Sequence, residues 1–308
     1  MKPIIVVGSI NIDVTVYLET WAKPGETIAA RDGKITLGGK GANQAIAAAR
    51  LGAEVRMIGA AGADGFGGQA IDRLVSEYIN ANIIRPQRSS TGVAVIDVNS
   101  DGANMIRLFA GANALLKPED IQERHKVFEG AGIVLLQNEV PLDVSLEAAR
   151  FGRAAGALVI MDPAPAPLTP WTGGQIACFD ILTPNAHEAG VILGRTISNL
   201  EDGVEAAKTL TGRGLKGAIV TMGELGAAWA FDGKDGIVQP HAITAIDTVA
   251  AGDCFNGGLA FAMTSEMDFS SAIGFACDVA SLATTKRGAS ESAPSLTEVN
   301  NFRRSNPR

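Results

Sequence analysis

The sequence predicts an α/β protein with a doubly wound, mostly parallel sheet flanked by helices and a small antiparallel β lid. Short apolar runs rich in β-branched residues recur along the chain, helical patterns alternate with them, and a few segments interrupt the alternation. Continuous apolar runs are typical of strands buried on both faces of a parallel sheet. The alternation of such strands with helices is typical of a doubly wound fold.

The regular elements can be placed in order along the chain. We predict strands at 4–7, 55–62, 132–137, 157–162, 179–185 and 217–223. We predict helices at 42–51, 67–78, 118–128, 142–155, 186–193 and 200–212. Because βαβ connections place helices against both faces of one sheet, these elements predict a single domain over residues 1–308.

The interrupting segments have the pattern of additional strands. Residues 12–18 alternate between apolar and polar, and residues 27–37 and 91–109 are predicted strands, the last with a turn at 99–102. A small antiparallel sheet exposes an apolar face unless it covers something. We therefore predict a substrate lid that also pairs with a second subunit to form a homodimer. A simple decoration of the sheet edge is the alternative.

Composition and charge limit the classes of protein to which the chain can belong. Hydrophobic residues make up 46% and charged residues 19%, as in globular proteins. The net charge of −7 disfavours binding to nucleic acid or to anionic membranes, because both require a basic surface. The 3 cysteines form no CxxC pair, and the N-terminus has the pattern of neither a signal peptide nor a membrane span. We therefore expect a soluble cytoplasmic protein.

The stretch DTVAAGDCFNGG, residues 247–258, places an aspartate at the start of an apolar helix. The unpaired amides of Ala250, Ala251 and Gly252 are expected to converge there, where the helix dipole also attracts anions. The small side chains leave the approach to these amides open, so the nest suits a phosphate. The alternative is that Asp253 only stabilises the dipole of its own helix.

A second motif, LGGKGANQAIAAARLGAEV at residues 37–55, is glycine-rich and leads into an alanine-rich helix. Its glycines allow a sharp turn and a close approach to a ligand, and Lys40 and Asn43 project polar groups into the same space. The motif is not a Walker A loop, and Gln44 stands at the third glycine position of GxGxxG. By itself such a loop is more often a turn than a binding site.

Asn11 and Asp13 strengthen the case for a binding site. They follow the first predicted strand at its carboxyl end, the edge at which open α/β sheets bind ligands. Asn and Asp side chains can hydrogen-bond several hydroxyls at once, as recognition of a sugar requires. Taken alone, the two residues would be ordinary turn formers.

Both motifs, in this order, resemble the signatures of the ribokinase-like (PfkB) family of carbohydrate kinases. The resemblance covers about residues 3–303 and includes the segments NID, STGVAVI, AGAN, QNE, DPAPA, TPNAHE, TMGELGA and KRGASES. It implies transfer of the γ-phosphate of ATP to the primary hydroxyl of a sugar. Asp253 would be the catalytic base, ionised at neutral pH with an ordinary pKa near 4. The amides of Ala250, Ala251 and Gly252 would form the anion hole.

The resemblance also assigns residues to the sugar and to ATP. The implied sugar-binding residues are Asn11, Asp13, Gly39, Lys40, Gly41, Asn43, Glu139 and Asp253. The implied ATP-binding residues are Asn185, Thr221, Gly223, Gly226, Gly252 and Cys277. Glu139 could instead be a solvated loop carboxylate. The GGKGANQ and AGAN segments favour D-ribose as the sugar, and 2-deoxyribose and other pentoses or hexoses stay open.

Two metal ions are implied by the same resemblance. Asn185 and Glu188 match an NxxE motif that organises Mg²⁺ through water, with Ala186 where a further glutamate is often found. A monovalent cation, K⁺, would lie beside the anion hole, bound by Asp247, Val249, Ala283, Lys286, Gly288 and Ser292. The alternative to this cation is the charge of Lys286 or Arg287.

A non-catalytic regulator and a nicotinamide dehydrogenase are the alternatives to a kinase. A regulator on the same fold could bind sugar or nucleotide without turnover. An inactive homologue should have lost the base or the anion hole, whereas Asp253 and Gly252 are both present. A nicotinamide dehydrogenase is disfavoured, because Gly8 after the first strand is followed by Ser-Ile-Asn-Ile-Asp and no GxGxxG occurs there.

Overall fold

The structure is a computed structural model that describes residues 1–101 and 103–306. The strands of this part of the chain are β1 (Ile4–Val7), β2 (Asn11–Tyr17), β3 (Asp32–Gly38), β4 (Val55–Ala60), β5 (Asn80–Ile84), β6 (Gly92–Val98), β7 (Asn104–Phe109), β8 (Ile133–Gln137), β9 (Leu158–Asp162), β10 (Ile181–Leu182), β11 (Gly217–Thr221), β12 (Ala227–Phe231) and β13 (Lys234–Val238). The α-helices are α1 (Lys40–Arg50), α2 (Gly65–Ser76), α3 (Pro118–Glu123), α4 (Leu142–Ala154), α5 (Gly173–Ile176), α6 (Ala186–Leu193), α7 (Leu200–Thr211), α8 (Ala251–Thr264), α9 (Phe269–Thr284) and α10 (Leu296–Ser305). Short 3-10 helices cover Gly111–Leu115, His125–Phe128, Gly223–Leu225 and Ser290–Ser292.

The main sheet confirms the predicted doubly wound fold. Its strand order is β13-β12-β11-β10-β9-β8-β1-β4-β5, and neighbours pair in parallel from β5 to β11. Both faces of the sheet are covered, which explains the continuous apolar runs. In β1, Ile4 and Val6 belong to the apolar layer that contains α1, α8 and α9, whereas Ile5 and Val7 belong to the layer that contains α4 and α7.

Some elements differ from the predicted ones. β12 and β13 extend the sheet by antiparallel pairing, and the predicted strands did not include them. β12 reads AAWAF, and alanine has a low intrinsic preference for strands, so the pairing with β11 decides its structure. The predicted helix at 118–128 divides into α3 and a 3-10 turn, and the predicted strand at 179–185 contains only the two residues of β10.

A separate small sheet is formed by β3-β2-β6-β7. Its outer pairs, β2–β3 and β6–β7, are antiparallel as predicted, and its central pair, β2–β6, is parallel. Residues 27–31 of the predicted strand 27–37 precede β3 and are not part of it. Of the predicted turn at 99–102, Gly102 lies outside the described residues, and the Asn99 side chain accepts hydrogen bonds from the amides of Asp101 (3.1 Å) and Ala103 (2.9 Å).

The packing of α1 against α8 brings the two glycine-rich motifs together. A Cβ at Gly257 would lie 2.7 Å from Ala47 Cβ and 2.9 Å from the Gln44 carbonyl oxygen, so the close approach of the helices requires glycine. As a result, the first turns of both helices lie at the carboxyl edge of the main sheet. Within the described residues, no helix combines the length and apolarity that crossing a membrane requires.

Candidate active site

The first part of the site joins the start of α1 to the loops after β1 and β8. Ser9 Oγ donates to Glu139 Oε2 at 2.5 Å, and the Lys40 amide donates to the same oxygen at 3.1 Å. The Gly41 amide in turn donates to Ser9 Oγ at 3.3 Å. Glu139 is therefore held against the N-terminus of α1 and is not a freely solvated loop carboxylate.

Asn11 and Asp13 begin strand β2 and are not turn residues. Asn11 Oδ1 accepts a hydrogen bond from Asn113 Nδ2 at 2.8 Å, which fixes the orientation of the Asn11 amide. Glycines lie directly against both side chains, because a Cβ at Gly92 would collide with Asn11 Oδ1 and one at Gly38 with the Asp13 carboxylate. Asn11 and Asp13 are only 3% and 8% exposed, so they form a buried polar wall at this edge.

Asp253 lies in the first turn of α8 and is 4% exposed. Its Oδ2 accepts a hydrogen bond from Asn43 Nδ2 at 2.9 Å, and its Oδ1 accepts one from Gln44 Nε2 at 3.2 Å. Asn43 Oδ1 is buried, and no partner for it is found among the described residues. A buried acceptor of this kind calls for a donor such as a bound hydroxyl.

The backbone before Asp253 forms the start of the predicted anion nest. Ala250, the residue preceding α8, has a φ of 58° and no side chain caps the helix. The prediction of three unpaired amides is wrong for Ala251, whose N–H donates to the Thr248 carbonyl at 3.3 Å because these residues form a turn. Gly252 stands in the first helical turn, where amides have no partner within the helix.

The predicted ATP-binding residues lie mainly at the carboxyl ends of β10 and β11. Asn185, which follows β10, forms a parallel bridge with Thr221, the last residue of β11. Gly223 and Gly226 have φ values of 58° and 109°, and a Cβ at Gly226 would collide with the Val238 carbonyl. The remaining residue of this set, Cys277, lies on α9 and is 6% exposed.

The predicted Mg²⁺ motif is also a helix capping box. The Asn185 amide donates to Glu188 Oε2 at 2.8 Å, and the Glu188 amide donates to Asn185 Oδ1 at 2.9 Å. This arrangement satisfies two amides at the start of α6 and fixes the Glu188 carboxylate. One carboxylate oxygen therefore has a structural role, whether or not a metal ion is bound.

The predicted cation loop joins two segments of the chain. Asp247 accepts hydrogen bonds from the amides of Val249 and Gly288, both at 3.0 Å. Ser292 is buried and donates its hydroxyl proton to the Ala289 carbonyl at 2.8 Å. Lys286 Nζ pairs with Glu298 at 2.6 Å. In the described part of the chain, no group of three or more His, Cys, Asp or Glu residues is arranged to hold a metal ion.

Comparison with known proteins identifies the family of the chain. A family model described as pfkB family carbohydrate kinase matches residues 1–296. A ribokinase from Haemophilus influenzae is 35% identical over 302 residues, which cover 98% of this chain and 98% of that protein. The chain belongs to the pfkB family of carbohydrate kinases.

Other members of the pfkB family are similar to the same extent. A deoxyribokinase from Salmonella typhi is 35% identical over 300 residues, covering 97% of this chain and 98% of that protein. The solved structure of Arabidopsis thaliana ribokinase complexed with ribose and ATP matches at a TM-score of 0.89 and 31% identity, covering 98% of each chain. The high TM-score over nearly the full length confirms the predicted fold class.

In this pfkB carbohydrate kinase two carboxyls of the site, Asp253 and Asp13, have a pKa above the ordinary value. Burial raises the pKa of Asp253, so the expected value near 4 is wrong. The charge of Lys40 and the hydrogen bond from Asn43 act in the opposite direction. Burial and the neighbouring Glu139 raise the pKa of Asp13 to about 7. A carboxylate with a raised pKa is a better proton acceptor near neutral pH.

Lys40 balances the negative charge of the site. Burial acts to lower the pKa of its ammonium group, but the nearby carboxylates of Asp253, Asp162 and Glu139 raise it above its ordinary value. Lys40 therefore stays charged. The surrounding pocket combines this single ammonium with several carboxyl groups, which suits an uncharged ligand with many hydroxyls.

Several residues of the site were not predicted. The structure adds Ser9, Gln44, Asn113, Gln137 and Asp162, all buried. Asn113, Gln137 and Asp162 stand within the AGAN, QNE and DPAPA segments, which carried the resemblance, but these three residues were given no role. A polar residue at the end of a predicted parallel strand was the available signal for Gln137 and Asp162.

Proposed function

We propose that this carbohydrate kinase phosphorylates the primary hydroxyl of D-ribose with ATP, giving D-ribose 5-phosphate. The observation that carries the proposal is the buried Asp253 carboxylate in the first turn of α8, held by Asn43 at 2.9 Å. Asp253 would accept the hydroxyl proton as the sugar oxygen attacks the γ-phosphate. The N-terminus of α8 would stabilise the charge on the transferred group, with Gly252 contributing its amide.

The charge of the pocket supports a neutral sugar as substrate. Asp13 and Glu139 supply acceptors, and Asn43 offers the unpartnered oxygen described above. The Asn11 oxygen faces Asn113, so Asn11 would offer its amide NH₂ as a donor. An already phosphorylated sugar would be repelled by these carboxylates. Gly39, Lys40 and Gly41 would shape the remaining wall.

2-Deoxyribose is the second candidate sugar. The deoxyribokinase and the ribokinase reported above are both 35% identical to this chain, so identity alone favours neither sugar. The two sugars differ only in the 2-hydroxyl. A site built to hydrogen-bond a hydroxyl rejects an analogue without it, because the polar groups are left unpaired.

For ATP and Mg²⁺, the residues present fit the proposed roles. ATP would lie against Asn185, Thr221, Gly223, Gly226 and Cys277, with its γ-phosphate toward the start of α8. Glu188 suits Mg²⁺ held through water, because its carboxylate is fixed at Oε2 by the Asn185 amide. Mg²⁺ would supply charge neutralisation for the phosphates.

K⁺ is proposed for the loop that precedes α8. The residues present fit a monovalent cation, because the Asp247 carboxylate joins the segments of Val249 and Gly288, and the buried Ser292 hydroxyl follows Gly288 closely along the chain. The carbonyls of Val249, Ala283, Lys286 and Gly288 would complete the site. The pairing of Lys286 with Glu298 directs its charge to another carboxylate and weakens the alternative in which Lys286 replaces the cation. The cation would order the loop that supports the anion nest.

We also infer that residues 1–308 act as one kinase domain with the small sheet as its lid, and that two copies pair through this lid. The edge strand β7 exposes apolar side chains, with Ile106 56% and Phe109 58% exposed. An exposed apolar edge strand needs a cover. We place the protein in the cytoplasm, where ATP is available and where thiols such as those of Cys178 and Cys254 stay reduced.

The test is ADP release from Mg-ATP with D-ribose, 2-deoxy-D-ribose and a panel of other sugars, each in potassium and in potassium-free buffer. We expect the highest kcat/KM with D-ribose and stimulation by potassium. Preference for 2-deoxyribose would move the substrate assignment, and the absence of turnover with every sugar would contradict the proposed reaction. Light scattering at micromolar concentration tests the dimer, and a monomer there would contradict it.

A further inference from the structure

A buried glutamine lies between two carboxyl groups at the centre of the site. Gln44 is completely buried on α1. Its Nε2 donates to Asp253 Oδ1 at 3.2 Å and to Asp162 Oδ2 at 3.0 Å. One amide nitrogen has two hydrogens, so both are used by the two carboxyls.

The orientation of the Gln44 amide is fixed by its partners. The NH₂ group faces the two carboxyl oxygens and donates to both of them. Gln44 Oε1 therefore faces Gln137, whose Nε2 donates to it at 2.7 Å. The Gln137 oxygen lies against Gly8, where a Cβ would collide with it. A chain of hydrogen bonds thus runs from β8 through Gln44 to Asp253.

Asp162 provides the second fixed point. It ends strand β9, is 5% exposed and accepts a hydrogen bond from the Ala164 amide at 3.2 Å. Its backbone belongs to a central strand of the sheet, so it moves less than a loop residue. Gln44 is consequently held by β8 and β9, and only its third partner, Asp253, is a proposed reacting group.

We propose that Gln44 is a positioning residue, which holds Oδ1 of Asp253 while Gln137 and Asp162 hold its own amide. The proposal rests on the proposed role of Asp253 as the base. Asn43 holds the other oxygen of Asp253, so the two neighbouring side chains of α1 together fix the plane of its carboxylate. A fixed plane keeps the base aligned with the hydroxyl that it deprotonates.

The charges around Asp253 make its pKa a readout of the role of Gln44. Burial and Glu139 raise the pKa of Asp253, whereas the charge of Lys40 and the hydrogen bonds from Asn43 and Gln44 lower it. Asp162 and Glu188 act on the same Lys40 charge. Removing the Gln44 donor should therefore raise the pKa of Asp253 further, and the acid limb of the kcat profile should move to higher pH.

The test is Gln44→Met, which keeps the length of the side chain and removes its hydrogen bonds. We expect kcat to fall about 10- to 100-fold, with the KM values for sugar and ATP changed less than about 3-fold. The acid limb of the pH profile of kcat should shift to higher pH. The matched control is Gln122→Met, since the exposed Gln122 also donates to a carboxylate, Glu147 at 2.9 Å, and should leave both readouts unchanged.

Gln137→Met provides a second route if Gln44→Met does not fold. It leaves Gln44 and Asp253 in place and removes the group that orients the Gln44 amide. A smaller fall in kcat with the same direction of shift supports the proposal. A kcat and an acid limb like those of the unmodified enzyme, in either folded variant, would overturn it.

Asp253→Asn separates this proposal from the role of the base. If Asp253→Asn abolishes turnover while Gln44→Met is fully active, only the positioning role is wrong. If Asp253→Asn retains the turnover of the unmodified enzyme, the base assignment is wrong and the positioning proposal falls with it.

Discussion

Two groups of helix N-termini in this molecule can be compared. α6, α9 and α10 begin after Asn185, Asp268 and Ser295, and each of these side chains accepts a hydrogen bond from the first turn. α1 and α8 instead begin after Gly39 and Ala250, which have φ values of 89° and 58° and provide no side-chain cap. The self-capped helices satisfy their own amides, whereas α1 and α8 leave theirs for a neighbouring carboxylate or a ligand.

The uncapped starts of α1 and α8 are where the two helices contribute to the site. At α1 the amide of Lys40 binds Glu139, a residue 99 positions away. At α8 the first turn carries Asp253, which binds two side chains of α1. A side-chain cap would occupy an amide at the second or third helical position, which an uncapped terminus leaves for other partners.

The largest effect is expected for Gly39→Ala. A Cβ there would lie 2.8 Å from the Asn11 amide and 2.9 Å from the Ser9 carbonyl, on a backbone with positive φ. The start of α1 would have to move, and we expect kcat/KM for the sugar to fall about 100-fold or more. Steady-state kinetics with sugar as the varied substrate measure this.

The matched control for Gly39→Ala is Gly194→Ala at the end of α6. Gly194 also has a positive φ, 69°, but nothing lies within 4 Å of its Cβ position. It should lose about 1 kcal/mol of stability and no activity. Equal losses of kcat/KM in Gly39→Ala and Gly194→Ala would contradict a special role of the start of α1 in the site.

A smaller effect is expected when a negative charge is placed at the uncapped start of α8. Aspartate tolerates the left-handed conformation of Ala250, and its charge would repel the phosphates of ATP. We expect Ala250→Asp to reduce kcat/KM for ATP about 10-fold or more relative to Ala250→Asn, the neutral variant of the same shape. Steady-state kinetics with ATP as the varied substrate measure this difference. Equal kcat/KM values for ATP in the two variants would contradict a phosphate site at the start of α8.

The smallest effect is the change of stability with pH, which has opposite signs for a carboxyl in the site and for a carboxyl in a helix cap. Burial raises the pKa of Asp162 to about 8, whereas Lys286 and the Ser295 amide lower that of Glu298, in the capping box of α10, to about 2. The raised pKa of Asp162 means that stability is present below pH 4 and is lost as the pH rises to about 8. The lowered pKa of Glu298 means that its contribution is present above pH 4.5 and is lost as the pH falls toward 2.

Thermal unfolding measured over a range of pH tests the direction of both pH dependences. Asp162→Asn should gain Tm relative to the unmodified protein as the pH rises from about 5 to 9, by a few degrees. Glu298→Gln should lose Tm at neutral pH, with the loss shrinking toward acid. A Tm difference for Asp162→Asn that is constant with pH would show that Asp162 does not change its proton affinity on folding.

The local sequence pattern was sufficient to predict the main sheet and part of the site. IIVV predicts β1 because both faces of this strand are buried, and GGKGANQ and DTVAAGD predict two glycine- or alanine-led helix starts. The hydrogen bonds between Gln44 and its partners join residues up to 209 positions apart, and no local pattern encodes them. Gln44 drew attention only as the residue that breaks a GxGxxG motif, although its amide is hydrogen-bonded to Asp253, Asp162 and Gln137.

Other differences arise where neighbours decide the local structure. The Ala251 amide is drawn into a turn by the Thr248 carbonyl, although its sequence context indicated an unpaired donor. The raised pKa of Asp253 depends on its burial, which the apolar helix that follows did not specify. The parallel pairing of β2 with β6 depends on the path of the chain between them.

The central claim is that Asp253, at the uncapped start of α8, is the catalytic base. The most direct measurement is kcat of Asp253→Asn in the ADP-release assay, together with sugar binding by calorimetry. We predict a fall in kcat of about 100-fold or more with sugar binding largely retained, and no change for Asp268→Asn, which alters a capping residue of α9. A loss of kcat below about 10-fold in Asp253→Asn would contradict the claim.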